Sequence, residues 1–203
     1  MHKQASNSYL NRQTQKLHIR PLARRDHAAW QYAYTHMLPP KNEWDTGNRS
    51  PESLSLPNFL KTLKSQQENQ SADRVYDLGV FTASDQKLVG IVSLMDVVRG
   101  LFQNAFIGLT IFNNYWKSGY GRAATEAIVD IAFNDLGLHR LEAGIEPRNV
   151  RCIRGTRAFR FRKEGRKKRA VFLRGEWRDL MMYSLTCEDY GIPWSGTARD
   201  RLR

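Results

Sequence analysis

The apolar positions divide the chain between Leu17 and Thr186 into short runs of two kinds. Leu17–Leu22, Val75–Ala83, Leu88–Val98, Ala105–Phe112 and His139–Glu146 read as strands. The turn Ser84-Asp-Gln-Lys87 between the second and third of these predicts a hairpin. Arg24–Met37 reads as a helix with Ala, Trp and Tyr on its apolar face. A second helical region spans 52–70, with an interruption expected at Pro57. Arg122–Leu136 is a further helix, stopped by Gly137, and Val150–Phe159 another. Lys168–Arg174 and Arg178–Thr186, turning at Gly175, predict a closing hairpin. The pattern is that of one α/β domain without internal repeats.

The most informative stretch joins a strand to a helix. Asn113-Asn-Tyr-Trp-Lys-Ser-Gly-Tyr-Gly-Arg-Ala follows the apolar run that ends at Phe112, and its glycines stand at 119 and 121. Glycine permits positive φ and lacks the Cβ that would hold a ligand away. The free N–H groups that open a helix, aided by its dipole, favour phosphate oxygens. The segment therefore looks built for a phosphorylated cofactor. It is not a nucleotide P-loop, because the Lys and hydroxyl of that motif are missing, and its mid-chain position does not suit a dinucleotide fingerprint.

Trp-x-x-Gly-Tyr-Gly-Arg-Ala, then Leu138-His-Arg-Leu-Glu-Ala143 and Pro147-x-Asn149, resembles the GNAT acyltransferase superfamily. Phe161-Arg-Lys-Glu-Gly165 and Trp177-Arg-Asp179 are similar to its RimJ/RimL-type branch of ribosomal-protein N-terminal acetyltransferases. The resemblance covers about residues 17–187. It implies a single GNAT-like domain of α/β class, a mixed, mostly antiparallel twisted sheet flanked by helices. It also implies acetyl-CoA as co-substrate, with the glycine loop on its pyrophosphate. The expected cofactor positions are Leu109, Ile111, Trp116, Lys117, Ser118, Gly119, Tyr120, Gly121, Arg122, Ala123 and Asn149. The implied acceptor is a primary amine at a protein N-terminus, possibly ribosomal. Small amines such as an aminoglycoside, a polyamine or an amino acid are the alternative.

Composition narrows this picture. The 203 residues give room for one ordinary core. No apolar run approaches the roughly 18 residues that span a bilayer. Cys152 and Cys187 make neither a disulfide framework nor a metal-ligand spacing, so a reducing cytoplasm and no metal are expected. The first sixteen residues, basic and acid-free, read as a disordered tail, and residues 188–203 as a surface or disordered tail.

Charge adds a second theme. Residues 148–169 carry eleven Lys or Arg and one acid, Glu164, in a chain whose net charge is +12. Self-repulsion of that size favours an anionic partner. Coenzyme A accounts for part of it, and rRNA contacted through Arg148–Arg169 would account for more. A non-catalytic acyl-CoA or rRNA binder is therefore the reading from another class.

Acetyl transfer to an amine needs a neutral amine, a polarised carbonyl, alignment and a protonated leaving thiolate. By the resemblance, Ile107–Ile111 lies beside a splay in the sheet where backbone amides polarise the carbonyl. Leaving-group protonation falls to an Asn-x-x-Ser position that here reads Asn149-Val-Arg-Cys152. Cys152 is thus a candidate general acid, a small packing residue, or the carrier of a covalent acetyl group. A helix N-terminus with Arg148 and Arg151 alongside should lower its pKa and favour thiolate. Glu146, at the end of its strand, is the candidate for holding the amine or taking its proton through water. Arg160 stands where the family's Gly-Phe corner has glycine; positive φ there would cost about 1 kcal/mol.

Overall fold

The computed structural model describes residues 7–45 and 47–194. Eight strands form one sheet: β1 (Arg12–Gln13), β2 (Leu17–Arg20), β3 (Tyr76–Thr82), β4 (Leu88–Val98), β5 (Asn104–Ile111), β6 (Arg140–Ile145), β7 (Arg162–Leu173) and β8 (Glu176–Thr186). Their order is β1-β2-β3-β4-β5-β6-β8-β7. Neighbours are antiparallel except β5 and β6, which are parallel. Four helices cover the sheet: α1 (His27–Thr35), α2 (Leu56–Ser71), α3 (Tyr120–Asp130) and α4 (Val150–Ala158).

Alternation along the strands feeds two cores. Leu78 and Val80 of β3 join Ile19 of β2 and Val92 of β4 beneath α3, whose Ala124, Ala127 and Ile128 are buried. Phe81 and Leu88 instead meet Trp30 of α1, Phe59 and Leu63 of α2, and Phe112. The fold class read from the sequence, an α/β domain with a mixed and mostly antiparallel sheet, is the one observed. Among the described residues no helix is long and apolar enough to cross a membrane.

Several boundaries move. Residues 7–16, expected in a disordered tail, are folded: Asn7–Leu10 is a 3-10 turn and β1 pairs with β2. Leu10 is fully buried in the α3-side core, and Arg12 ion-pairs with Asp130 and Asp135. One apolar residue and one arginine anchor this segment, too little for a periodic signal. Residues 1–6 of the expected tail lie outside the described residues. Pro57 does not interrupt a helix but opens one: a separate 3-10 turn covers Pro51–Leu54, and Pro57 sits in the first turn of α2. There its missing N–H leaves nothing unpaired. Helix α1 is preceded by a 3-10 turn, Arg24–Asp26, and α3 continues into a π-helical turn, Ile131–Asp135.

At the C-terminal side, β7 begins six residues before its expected start. Its run of cations hid the strand, and two bulges, at Lys163/Gly165 and Lys167/Val171, break the period of two. Past β8, Tyr190 and Ile192 pack on the α3-side core, so the folded part extends beyond Thr186. Residues 195–203 of the expected C-terminal tail lie outside the described residues.

Candidate active site

Strands β5 and β6 pair only through Asn104–Arg140, Ala105–Leu141 and Phe106–Glu142. Beyond these pairs they part, and Ile107–Ile111 and Ala143–Ile145 line a cavity of about 670 Å³. Strands that separate leave N–H and C=O groups facing the gap, free to pair with a polar ligand.

The glycine loop closes one end of this cleft. Gly119 caps α3 with φ of +80°, no side chain caps the helix, and its first turn holds no acid. The opening N–H groups of α3 are therefore left for an anion. A Cβ on Gly121 would meet Leu109 Cδ2 at 3.7 Å and Ile111 Cγ1 at 3.8 Å, so the missing side chain leaves room on the cleft side without relieving a clash. Trp116 fixes the loop's entry, its Nε1 donating to the Ile111 carbonyl at 2.7 Å. That bond occupies one of the two backbone groups Ile111 was expected to offer a ligand. Of the expected cofactor positions, all but Ala123 line the cleft. Ala123 lies farther along α3, half-buried against the core.

Helix α4 supplies the opposite wall. Asn149 is its N-cap, with Oδ1 accepting from the Cys152 N–H at 3.2 Å. This cap presents Cys152 to the cleft. The direction expected for its pKa is reversed. Cys152 is open to the cleft, yet burial among the cleft walls pushes the thiol up, and Arg151 opposes this incompletely. The two arginines that should have favoured thiolate are engaged elsewhere. Arg148 pairs with Glu43 at 2.8 Å, and the Arg151 guanidinium lies 3.4 Å from the Trp116 ring centroid. The net shift of Cys152 is thus upward, away from thiolate. Arg160 has φ of +64°, as the corner at that position requires.

Glu146, expected beside the acceptor, is not in the cleft. It is 8% exposed, accepts from Trp44 Nε1 at 2.8 Å and lies 3.8 Å from Arg178 Nη1. It lines a separate cavity of about 240 Å³ with Arg166, Trp177 and Asp179. The physical reason is a competing donor: the Trp44 indole, 102 residues away, takes the carboxylate that strand geometry alone would have left free.

The carboxylate that does line the cleft is Asp45. Its Oδ2 accepts from Asn113 Nδ2 at 2.9 Å and from the Lys41 N–H at 3.0 Å. Asn113, 2% exposed, also ties down the Leu38 N–H and the Leu38 carbonyl. Sequence reading missed Asp45 because the 39–51 loop carries no pattern. The Asn-Asn that begins the glycine motif was the available signal, since a buried Asn must satisfy its amide somewhere.

The spacing of the two cysteines gave no hint of a metal cluster, but Cys187 comes close to His139 and Glu188, their ligand atoms lying within 4.8 Å of one another. His139 Nε2 meets Glu188 at 3.1 Å, and burial, with Glu188 beside it, pushes the Cys187 thiol up to about 11. A protonated thiol is a poor ligand, and the His–Glu contact accounts for the grouping.

Residues 16–162 match the family described as the Acetyltransferase (GNAT) domain. The chain is 38% identical over 141 residues to "Probable N-acetyltransferase YjcK" of Bacillus subtilis (strain 168), across 70% of this chain and 78% of the relative. It is 28% identical over 112 residues to the [ribosomal protein uS5]-alanine N-acetyltransferase of Escherichia coli (strain K12), across 55% of this chain and 58% of that one. Among solved structures, Mycobacterium smegmatis RimJ in complex with CoA-disulfide superposes with a TM-score of 0.71 at 24% identity, covering 92% of this chain and 87% of the other.

Proposed function

The chain belongs to the GNAT acetyltransferase family and is an acetyl-transfer enzyme, and from that premise we propose that it carries an acetyl group from acetyl-CoA to the N-terminal amine of a protein, a ribosomal protein in the first instance. The observation that carries the proposal is that one cleft contains the uncapped start of α3, the parted strands β5 and β6, and the Cys152 thiol. Acetyl-CoA supplies an activated acyl group and a leaving thiolate. The residues present fit it. The N–H groups of Tyr120, Gly121 and Arg122 would take phosphate oxygens, with Lys117 and Ser118 beside them, and backbone groups of Leu109 and Ile111 would face the acyl arm. Fixed dipoles of this kind need no reorganisation during the reaction. Cys152 donates a proton to the departing sulfur as a general acid, a role that its raised pKa favours.

A protein N-terminus is favoured over a polyamine or aminoglycoside by charge. A polycation needs several carboxylates, whereas Asp45 is the one acid lining the cleft among the described residues. The ribosomal reading draws on the uS5-specific relative and on the basic block. Seven of that block's eleven cations, among them Lys163, Lys167, Lys168 and Arg169, have neither an ion-pair partner nor a ring contact among the described residues. Strand β7 lies at the sheet edge, exposed along most of its length, and beside it Phe172 and Trp177 form an exposed aromatic pair at 5.6 Å. Cations next to exposed aromatic faces suit a polyanion such as rRNA. Action on ribosomal proteins would put the enzyme in the cytoplasm.

The test is a calorimetric titration of acetyl-CoA into the wild type and Gly121→Glu, followed by acetylation assays on N-terminal peptides, spermidine and an aminoglycoside. Binding lost in the variant and transfer to peptides support the proposal. Transfer to spermidine alone would move it to the small-amine class. Salt-sensitive RNA binding without any transfer would replace it with the non-catalytic reading.

A further inference from the structure

We propose that Asp45 is the group that receives the acceptor amine, holding it as an ammonium ion and taking its proton on the way to solvent. This rests on the acetyltransferase reading above and adds to it a residue and a substrate charge. Three observations carry it.

Among the described residues that line the cleft, Asp45 is the only carboxylate. An α-amino group has an ordinary pKa of about 7.7–8.0, so it arrives largely protonated at neutral pH. In this cleft it finds cations at Lys117, Arg122 and Arg151, and a single anion.

The carboxylate is also held by one edge. Oδ2 is occupied by Asn113 Nδ2 and the Lys41 N–H, while Oδ1 has no donor among the described residues. Asn113 is itself buried, and its amide clamps the Leu38 and Pro39 carbonyls, so the anchor does not turn with the side chain it holds. A carboxylate fixed through one oxygen and open at the other is oriented for an incoming N–H donor.

The neighbours complete the geometry. Arg151, close enough to Asp45 to feel its charge, precedes Cys152 on the first turn of α4. Acid and base thus approach the cleft from two different segments: the 38–45 loop presents the carboxylate and α4 the thiol. Met95 and Ile107 also line the cleft and offer an apolar surface to the acceptor's first side chain. Two protons leave the nitrogen. One passes from the ammonium to Asp45 Oδ1 and on to water before attack, leaving the lone pair the amine needs; the second, lost after attack, replaces the proton that Cys152 gives to the departing sulfur.

The experiment compares wild type, Asp45→Asn and Glu146→Gln with an alanine-initiated pentapeptide as acceptor, from pH 6.5 to 9.5. Acetyl-CoA affinity is measured in parallel by calorimetry. Other titratable groups of the cleft are Arg151, whose charge Asp45 feels, Cys152 on α4, and Tyr115, Tyr120, Lys117 and Arg122 at the glycine loop, with Lys41 on Asp45's own loop. They are common to all three proteins and cancel in the ratios. The expected result is a loss of about 100-fold or more in kcat/KM for Asp45→Asn at pH 7, with acetyl-CoA affinity within twofold of wild type. The loss should shrink as pH rises above the amine's own pKa. Asp45→Glu should restore part of the rate. A rate unchanged in Asp45→Asn, or a loss equal at every pH, overturns the role of Asp45 and leaves the acetyltransferase reading standing. Acetyl-CoA binding without transfer by the wild type to any amine overturns both.

Discussion

Trp44 Nε1 donates a 2.8 Å hydrogen bond to Glu146 Oε1, pinning the loop before Asp45 to the end of β6. A Glu146 so engaged is expected to act as a strut and not as a base. Glu146→Gln keeps an accepting oxygen, so kcat should fall less than tenfold. Trp44→Phe removes the donor and leaves a buried carboxylate short of a partner. It should raise KM for the amine while leaving acetyl-CoA affinity unchanged, a split read directly from steady-state kinetics.

Cys152 provides a second prediction. Cys152→Ser should preserve or raise transfer, because the hydroxyl can still donate, and Cys152→Ala should lower it. Equal rates for all three would remove the residue from the reaction. Because burial raises the thiol pKa against the pull of Arg151, alkylation by iodoacetamide should have its midpoint above that of a free thiol. Acetyl-CoA should protect it. A midpoint below the free value would show a thiolate that has no proton to give.

The two loop glycines separate stability from binding. Gly119 has φ of +80° and its nearest non-local neighbour, Lys16 Nζ, would lie 3.7 Å from an added Cβ. Gly119→Ala thus pays only for backbone strain, about 1–2 kcal/mol, and should lower Tm by several degrees. Gly121 lacks positive φ, and its Cβ would make ordinary contacts. Gly121→Ala should leave Tm unchanged or raise it, yet weaken acetyl-CoA binding. Thermal melts with and without ligand distinguish the pair.

Arg20 and Asp26 form a buried ion pair with contacts of 2.6 and 2.8 Å, both side chains under 10% exposed. Burial raises the Asp26 pKa, but the Arg20 hydrogen bond and the Ala23 N–H outweigh it, and the net shift is downward. A depressed carboxylate pKa contributes stability that is present above the ordinary Asp value and disappears as pH falls through the folded value. Asp26→Ala should cost about 3–5 kcal/mol at pH 7. Its urea midpoint should converge on that of the wild type only below the ordinary Asp range.

What could be read from the sequence was what is decided locally. The glycine loop, the β3–β4 hairpin and the helix after Gly121 follow from conformational preferences of a few adjacent residues, and all are present. Asp45 was invisible because its anchor, Asn113, is 68 residues away. Leu10 is a single apolar residue in a polar run, and β7 is an edge strand whose cations and bulges erase alternation. The pKa of Cys152 was misjudged for a related reason. Charge near a residue in sequence was counted as charge near it in space, but Arg148 reaches Glu43 and Arg151 reaches Trp116.

Helix α4 has nine residues, and none of them is buried. So short a helix is marginal in water and depends on packing for its persistence. Its inward side, with Gly155, Thr156 and Ala158, meets the cleft where another helix would meet a core. Ile153 packs against the α3-side core, and a ligand in the cleft would cover the other inward positions of α4. Amide exchange in 150–158 should slow on loading more than anywhere else in the chain. The proton-donating thiol would then be delivered only once there is a sulfur to receive its proton.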